Sequence, residues 1–178
     1  MKRILVLTAV LLLASSAAFA QSTPFGASAA TTLSVTVGAE ASISVLTNTP
    51  LASSTIFGDY TGTTNFLYKV RTGGSVTGSG VTLKITTDFS PAAGPSVANS
   101  GTTGDTLKYT CSAASSATAC SGSQTSSTTA GTSVATFGVN AHSAIAGDSG
   151  SVAWDLVNDP AYAVGTYSAT AQFTISAT

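Results

Sequence analysis

Apolar and polar residues alternate along much of this chain, most regularly near its C-terminal end. There Ser168, Thr170, Gln172, Thr174 and Ser176 alternate with an apolar set: Tyr167, Ala169, Ala171, Phe173, Ile175 and Ala177. A period of two places the sets on opposite faces of an extended strand, whereas a helix needs a period near 3.6. The pattern therefore predicts a half-buried β-strand.

Shorter runs of the same kind occur throughout the chain and are separated by clusters of Gly, Ser and Thr. The clearest apolar sets are Leu33/Val35/Val37, Ile43/Val45, Phe66/Tyr68/Val70, Val81/Leu83/Ile85, Leu107/Tyr109/Cys111 and Val152/Trp154/Leu156, with weaker candidates at Thr55–Asp59 and Val134–Phe137. Short strands with turn residues between them are typical of an all-β sandwich. We expect one antiparallel sandwich of about eight or nine strands.

The first 20 residues are predicted to be a cleaved signal peptide. Lys2 and Arg3 precede an apolar run, Ile4–Leu13, and Ala18-Phe19-Ala20 forms a cleavage signature before Gln21. The run is shorter than the roughly 20 residues that span a bilayer. We expect one domain, residues 21–178, that is exported through the periplasm to the cell surface or medium, with residues 21–32 as a mobile arm and no transmembrane segment.

Charged residues make up only 7% of the chain. After residue 20 the chain contains seven acidic residues and four cations: Lys69, Arg71, Lys84 and Lys108. The net charge of this part is therefore about −3. Nucleic-acid binding needs a basic excess, so that class is excluded.

The cations fall on the predicted polar faces of three middle strands. They either keep those faces soluble or form a basic stripe that faces an acidic end of another subunit.

Two cysteines, Cys111 and Cys120, lie nine positions apart in the exported part. A cysteine pair in an exported protein predicts a disulfide. A metal or redox pair is the alternative, but no further ligand lies nearby in sequence and the C-x-x-C motif is missing.

The predicted first strand, Thr31–Val37, and the last, Thr166–Ala177, contain no charged residue. Soluble sheet proteins usually protect edge strands with Lys, Pro or bulges. Each of these strands therefore either lies inside a sheet or is an unprotected edge strand with which a strand of another chain can pair. Leu33, Val35 and Val37 are the candidate strand-exchange residues.

Candidate residues for other chemistry are few. Trp154, the only tryptophan, is either a core anchor or a stacking platform for a sugar, and Tyr60 and Tyr162 are further stacking candidates. A Ser–His–Asp hydrolase would need His142 with Asp148 or Asp159, but no nucleophile elbow accompanies them. We expect no catalytic site, no cofactor and no metal site.

The signal peptide, the alternating segment Leu33–Val45 and the ending Gly165-Thr166-Tyr167 through Ile175 resemble those of secreted pilin-like proteins of the spore coat U and fimbrial-subunit group. The resemblance implies an immunoglobulin-like sandwich that polymerises by donor-strand exchange. It also implies other surface subunits and a periplasmic chaperone as partners.

The sequence thus favours a non-catalytic structural or adhesive subunit of a bacterial surface assembly that associates with itself. The alternative is a monomeric secreted module that binds carbohydrate or another ligand.

Overall fold

The computed structural model describes residues 30–45, 48–98 and 106–178. The predicted signal peptide, residues 1–20, and most of the predicted arm lie outside the described residues. None of the described residues lies in a helix. They form nine strands: β1 Glu40–Val45, β2 Tyr60–Arg71, β3 Gly80–Ser90, β4 Leu107–Ala113, β5 Thr118–Ala119, β6 Gln124–Thr125, β7 Thr132–Thr136, β8 Asp148–Leu156 and β9 Ser168–Ser176.

The strands form two antiparallel sheets that enclose one core. The first sheet has the order β1-β2-β8-β4-β6, and the second has the order β5-β7-β3-β9. Neighbouring strands of the described residues are antiparallel in every pair. The predicted all-β fold with two antiparallel sheets is therefore confirmed. Both sheets belong to one compact unit, residues 37–178.

The sandwich has two ends, which we call the first and second poles. At the first pole β2 begins opposite the end of β8, since Tyr60 pairs with Leu156. The segments 48–59, 91–98 and 157–167 lie there, because β3 ends and β9 begins at the same end. At the second pole β2 ends and β8 begins, and the segments 72–79 and 137–147 lie there.

The core follows from the alternation of the sequence. Inward-facing residues of β2, β3, β4, β7 and β8 supply nearly all of the buried apolar side chains. The largest that are fully buried are Tyr68, Tyr109, Phe66, Leu83, Ile85, Val81, Val134 and Val152. The outward-facing residues of the same strands are mostly Ser, Thr and Lys. A strand with one wet face needs this arrangement, and the strongly alternating runs therefore became strands.

The prediction of a strand at Thr31–Val37 is wrong. Residues 31–39 have no assigned strand, and β1 starts at Glu40. Alternation shows that a segment is suited to cover an apolar surface, but a strand also needs a neighbour to complete its hydrogen bonds. The weaker candidate Thr55–Asp59 is a turn rather than a strand, since it is too short and too rich in turn residues to pair.

Candidate functional site

A large groove opens between the two sheets along the side where their edge strands β1 and β9 lie. Its volume is about 1040 Å³. The groove exists because β1 is only six residues long and pairs with the second half of β2, Phe66–Arg71. Beside the first half of β2, residues 48–51 follow instead, and a single bridge joins Ala52 to Thr61. The sandwich is therefore incompletely closed near its first pole.

The floor of the groove is the apolar core itself. Ile85, Leu107 and Leu156 line it, together with Trp154 and Phe173. The Trp154 ring is only 6% exposed, and its Nε1 donates to Thr64 Oγ1 over 2.8 Å. Its ring also meets Tyr109 edge-on, with centroids 5.7 Å apart. The predicted stacking residue therefore lies in the groove floor, largely covered and fixed in orientation by these contacts.

One wall of the groove is β9, an edge strand. It pairs with β3 on one side, and no other strand of the described residues pairs with it. Its inward-facing residues (Ala169, Ala171, Phe173 and Ile175) remain partly exposed. In contrast, Val81, Leu83 and Ile85 on the adjacent β3 are at most 1% exposed. The second sheet thus ends at a strand whose apolar face is unfinished and whose backbone edge carries no protecting charge.

The far wall, near the first pole, is built by two loops. Asp88 at the end of β3 accepts hydrogen bonds from the backbone N–H groups of Val97 (2.7 Å), Phe89 (2.8 Å) and Ala98 (3.0 Å) and from Ser96 Oγ (2.8 Å). These bonds fold residues 89–98 back so that Phe89 and Pro95 line the groove. Sequence reasoning missed Asp88. An aspartate at a strand end before a Pro/Gly loop was the available signal.

The Asp88 carboxyl group is held in its ionised form. Partial burial raises the pKa of Asp88, but the hydrogen bonds from Ala98, Val97, Ser96 and Phe89 together outweigh it, and the pKa lies below its ordinary value. Bonds from several N–H groups favour a carboxylate over a carboxylic acid. The loop is therefore anchored by a charge.

Tyr167 joins this loop to the segment that precedes β9. Its hydroxyl donates to the carbonyl oxygen of Ala163 over 2.7 Å. The ring lies directly on Gly94, where a Cβ atom would be 2.2 Å from Tyr167 Cε1. Ala163 N–H in turn donates to Ala93 O over 2.9 Å. The close approach requires glycine at position 94 and locks the two loops together.

Residues 30–36, which hold the end of the predicted arm and most of the predicted first strand, carry two large apolar side chains that are exposed to solvent. Leu33 is 90% exposed and Val35 is 85% exposed. Val37, the first residue of the unit formed by the sheets, is 59% exposed. The three candidate strand-exchange residues therefore alternate along a segment that pairs with no strand of the described residues.

The predicted disulfide is confirmed, because Cys111 and Cys120 are bonded with a Cα–Cα distance of 5.5 Å. It connects β4 of one sheet to the residue after β5 of the other, on the side of the molecule away from β9. The described residues include no free cysteine.

The structure does not bring the hydrolase candidates together. His142 is exposed, and its Nδ1 lies 3.1 Å from the carbonyl oxygen of Asn140. The Asp148 carboxylate instead accepts hydrogen bonds from Ser116 Oγ and from the N–H of Ala144. Asp159 caps its own turn by accepting from Ala161 N–H over 2.8 Å. No hydrogen bond found among these described side chains links His142 to either carboxylate.

The four cations do not form one stripe. Lys69 and Arg71 lie near the second pole on β2, whereas Lys108 is the second residue of β4, near the first pole. Lys84 is on β3, in the other sheet. Arg71 is paired with Glu40 over 2.9 Å. The prediction of a continuous basic stripe is therefore wrong, because the strands that carry these residues are not neighbours.

No cluster of three or more metal-ligating His, Cys, Asp or Glu side chains is found in residues 30–45, 48–98 and 106–178. The same residues include no helix that is long and apolar enough to span a membrane. Comparison of the chain with family models, curated proteins and solved structures finds no match.

Proposed function

We propose that the protein is an exported, non-catalytic structural subunit of a bacterial surface or extracellular assembly, and that its copies join by strand exchange. The proposal includes the immunoglobulin-like, pilin-like character that the sequence resemblance implies. One observation supports it above all: an apolar groove reaches the core beside the unpaired edge of β9. Other surface subunits and a periplasmic chaperone are further partners of the same groove under this proposal.

The chemistry of the groove favours an extended peptide as its occupant. An edge strand presents a row of backbone N–H and C=O groups that only another backbone can satisfy in full. Beside that edge lie the partly exposed apolar residues Ala169, Ala171 and Phe173. A strand placed along β9 would direct alternate side chains toward the groove floor. An acyl chain would fill the apolar space and leave the backbone edge unpaired.

The occupant that the chain itself offers is the segment Thr31–Val37 of a second copy. Its apolar residues alternate with Ser34 and Thr36, and the segment contains no charge to desolvate. Burial of each apolar side chain contributes about 1.5–3 kcal/mol. Docking would cover Leu33 and Val35, which are exposed in the single copy, and would complete the second sheet.

The test uses the full exported chain with Leu33→Ser and Val35→Ser together, and a control with Ser34→Ala and Thr36→Ala. The control changes the alternate face of the same segment and keeps its length. The serine variant loses about 3–5 kcal/mol of burial, which weakens association by at least about a hundredfold. Sedimentation velocity and electron microscopy should show assemblies for wild type and control and monomers for the serine variant.

The outcome that contradicts strand exchange is equal assembly of the serine variant and the control. A site-specific cross-link gives a second readout, because Val35→Cys and Ala171→Cys, placed in separate copies, should join only between molecules. A disulfide-linked dimer on a non-reducing gel supports the proposal, and cross-linking equal to that of a Val35→Cys/Thr110→Cys pair contradicts it.

A second candidate, a monomeric carbohydrate-binding module, is favoured by the aromatic residues that meet in the groove. Tyr60, Tyr162 and Tyr167 line it together with Trp154. Sugar rings stack on such side chains. Titration of Trp154 fluorescence with a glycan panel tests this candidate, and a signal that saturates with one glycan and is lost in Tyr162→Ala would support it.

A further inference from the structure

Large exposed apolar side chains are not spread evenly over the sandwich. Apart from Val37 and Val45 at the ends of the β1 region, those of the described sandwich residues lie only at the two poles. Ile56, Phe57 and Val164 lie at the first pole, and Val139 and Ile145 lie at the second. The outer sheet faces instead carry mainly Ser, Thr, Lys and Gln. The flanks are therefore built to face water and the poles are not.

The first pole presents its apolar residues on a fixed turn. Gly58 N–H donates to Thr55 O over 3.1 Å, and Asn158 Nδ2 donates to Gly58 O over 3.1 Å. Phe57 has a φ of 53°, a left-handed conformation that is unfavourable for a non-glycine residue by about 1–2 kcal/mol. The turn thus maintains an unfavourable backbone conformation while its Phe57 ring stays 64% exposed. Retained backbone strain of this kind points to function.

The charges at the first pole argue against contact between two identical first poles. Asp59 and Asp159 flank the apolar turn, and segments 48–59, 91–98 and 157–167 contain no Lys or Arg. A symmetric contact would bring four carboxylates together, which is unfavourable.

The second pole offers a different surface. Lys69 and His142 are exposed there, close to the apolar residues of segment 137–147. At this pole Glu40 is paired with Arg71, and Lys69 balances the charge of Asp148, so the surface carries no net negative charge. This surface is thus the better electrostatic match for the acidic first pole.

We infer that copies of this chain stack end to end, with Ile56, Phe57 and Val164 of one copy against Val139 and Ile145 of the next. The inference rests on the proposed function only in taking a second copy as the partner. The two contact surfaces differ, so the interface is heterologous and the product is an open filament rather than a closed dimer.

The unit formed by the sheets also begins at the second pole, where Arg71 Nε donates to Gly38 O. A segment that precedes Gly38 is thus attached at the pole that meets the neighbour's groove.

The test blocks each pole separately in the full exported chain. Ile56→Glu with Val164→Glu blocks the first pole, and Ile145→Glu blocks the second. All three side chains are more than nine-tenths exposed, so folding should be unchanged, and circular dichroism checks this. Thr110→Glu, on an exposed flank position of β4, is the control. Each blocked variant should need a protein concentration at least about tenfold higher than the control to assemble, because a buried unpaired charge weakens contact.

The decisive sample is the equimolar mixture of the two blocked variants. Below the concentration at which either assembles alone, sedimentation velocity should show heterodimers and nothing longer, because only one pair of poles is intact. Dimers of the Ile145→Glu variant alone would reveal a symmetric first-pole contact and overturn the inference. Assembly of the blocked variants at the control concentration would overturn it too, as would a mixture that stays monomeric while wild type assembles.

Failure of the stacking inference and failure of strand exchange are distinguishable. The blocked variants keep the groove and β9 unchanged, so they should still bind a synthetic peptide of residues 30–39. Peptide binding together with blocked variants that assemble normally would refute stacking alone. Loss of assembly at the poles without any peptide binding would refute strand exchange alone, and a wild-type chain that never associates would refute both.

Discussion

The Asp88 carboxylate should be a main source of stability for the loop that walls the groove. Replacement by Asn keeps the shape of the side chain and one carbonyl-like oxygen, which can still accept from Phe89 and Val97. The new amide group then faces the N–H of Ala98, where two donors meet without an acceptor, and Ser96 must turn its hydroxyl to accept instead of donate. One backbone bond and the charge are lost.

The expected cost follows from these contacts. A hydrogen bond to a charged group contributes about 1.5–3 kcal/mol, and partial exposure places this one near the lower end. We therefore expect Asp88→Asn to lower the free energy of unfolding by about 2 kcal/mol. For a chain of this size that loss corresponds to a Tm lower by about 4–8 °C.

Urea unfolding followed by tryptophan fluorescence measures the change, because the Trp154 ring lies in the groove floor. The midpoint should fall with an unchanged m-value. Asp155→Asn, which removes an exposed carboxylate from the outer face of β8, is the matched control and should shift stability by less than about 0.5 kcal/mol.

The pH dependence gives the sign of the effect independently. The pKa of Asp88 is lower in the folded protein than its ordinary value, because the four hydrogen bonds to the carboxylate outweigh its partial burial. Its stabilisation is therefore fully present above the unfolded pKa and is lost as pH falls through the folded pKa. The gap between wild type and Asp88→Asn should close below that pH. A gap that stays constant down to the folded pKa, or equal effects of Asp88→Asn and Asp155→Asn at neutral pH, would refute the charged-anchor explanation.

Three further changes test the packing around the groove and core. Trp154→Phe removes the bond from Nε1 to the buried Thr64 hydroxyl, so the free energy of unfolding should fall by about 1–3 kcal/mol in urea titration. Gly150→Ala would place a Cβ atom 2.3 Å from the Phe66 ring, and calorimetry should show a loss of about 1–3 kcal/mol from overpacking. Replacement of both cysteines by alanine opens a loop of nine-residue separation, with an expected loss of about 2.5–3 kcal/mol that reduction of the wild type should reproduce.

The strands of the core could be predicted from the sequence because their pattern has one physical cause. β2, β3, β4 and β8 each bury one face and wet the other, and β9 half-buries one face, so apolar and polar residues must alternate. The disulfide was predictable from the number of cysteines and the signs of export. These features depend on local composition and need no knowledge of the neighbours.

Strand neighbours depend on long-range pairing, and the sequence did not reveal them. Leu33, Val35 and Val37 carry the same alternation as β9, yet they have no strand partner in the described chain. The uncharged β9 was predicted to be interior or open, and only the sheet order shows that it is an edge. The groove likewise arises from the shortness of β1 relative to β2, which the alternation of Ile43 and Val45 does not disclose.

The most direct test of strand exchange is hydrogen–deuterium exchange of β9 with a synthetic peptide of residues 30–39. The protein is the full exported chain with Leu33→Ser and Val35→Ser, so that its own arm does not compete. The control is the same peptide with serine at positions 33, 35 and 37. Strand exchange predicts slower exchange of the β9 amides with the native peptide only, while β6, the edge on the far side, is unchanged. Unchanged exchange in β9 at saturating native peptide would contradict strand exchange.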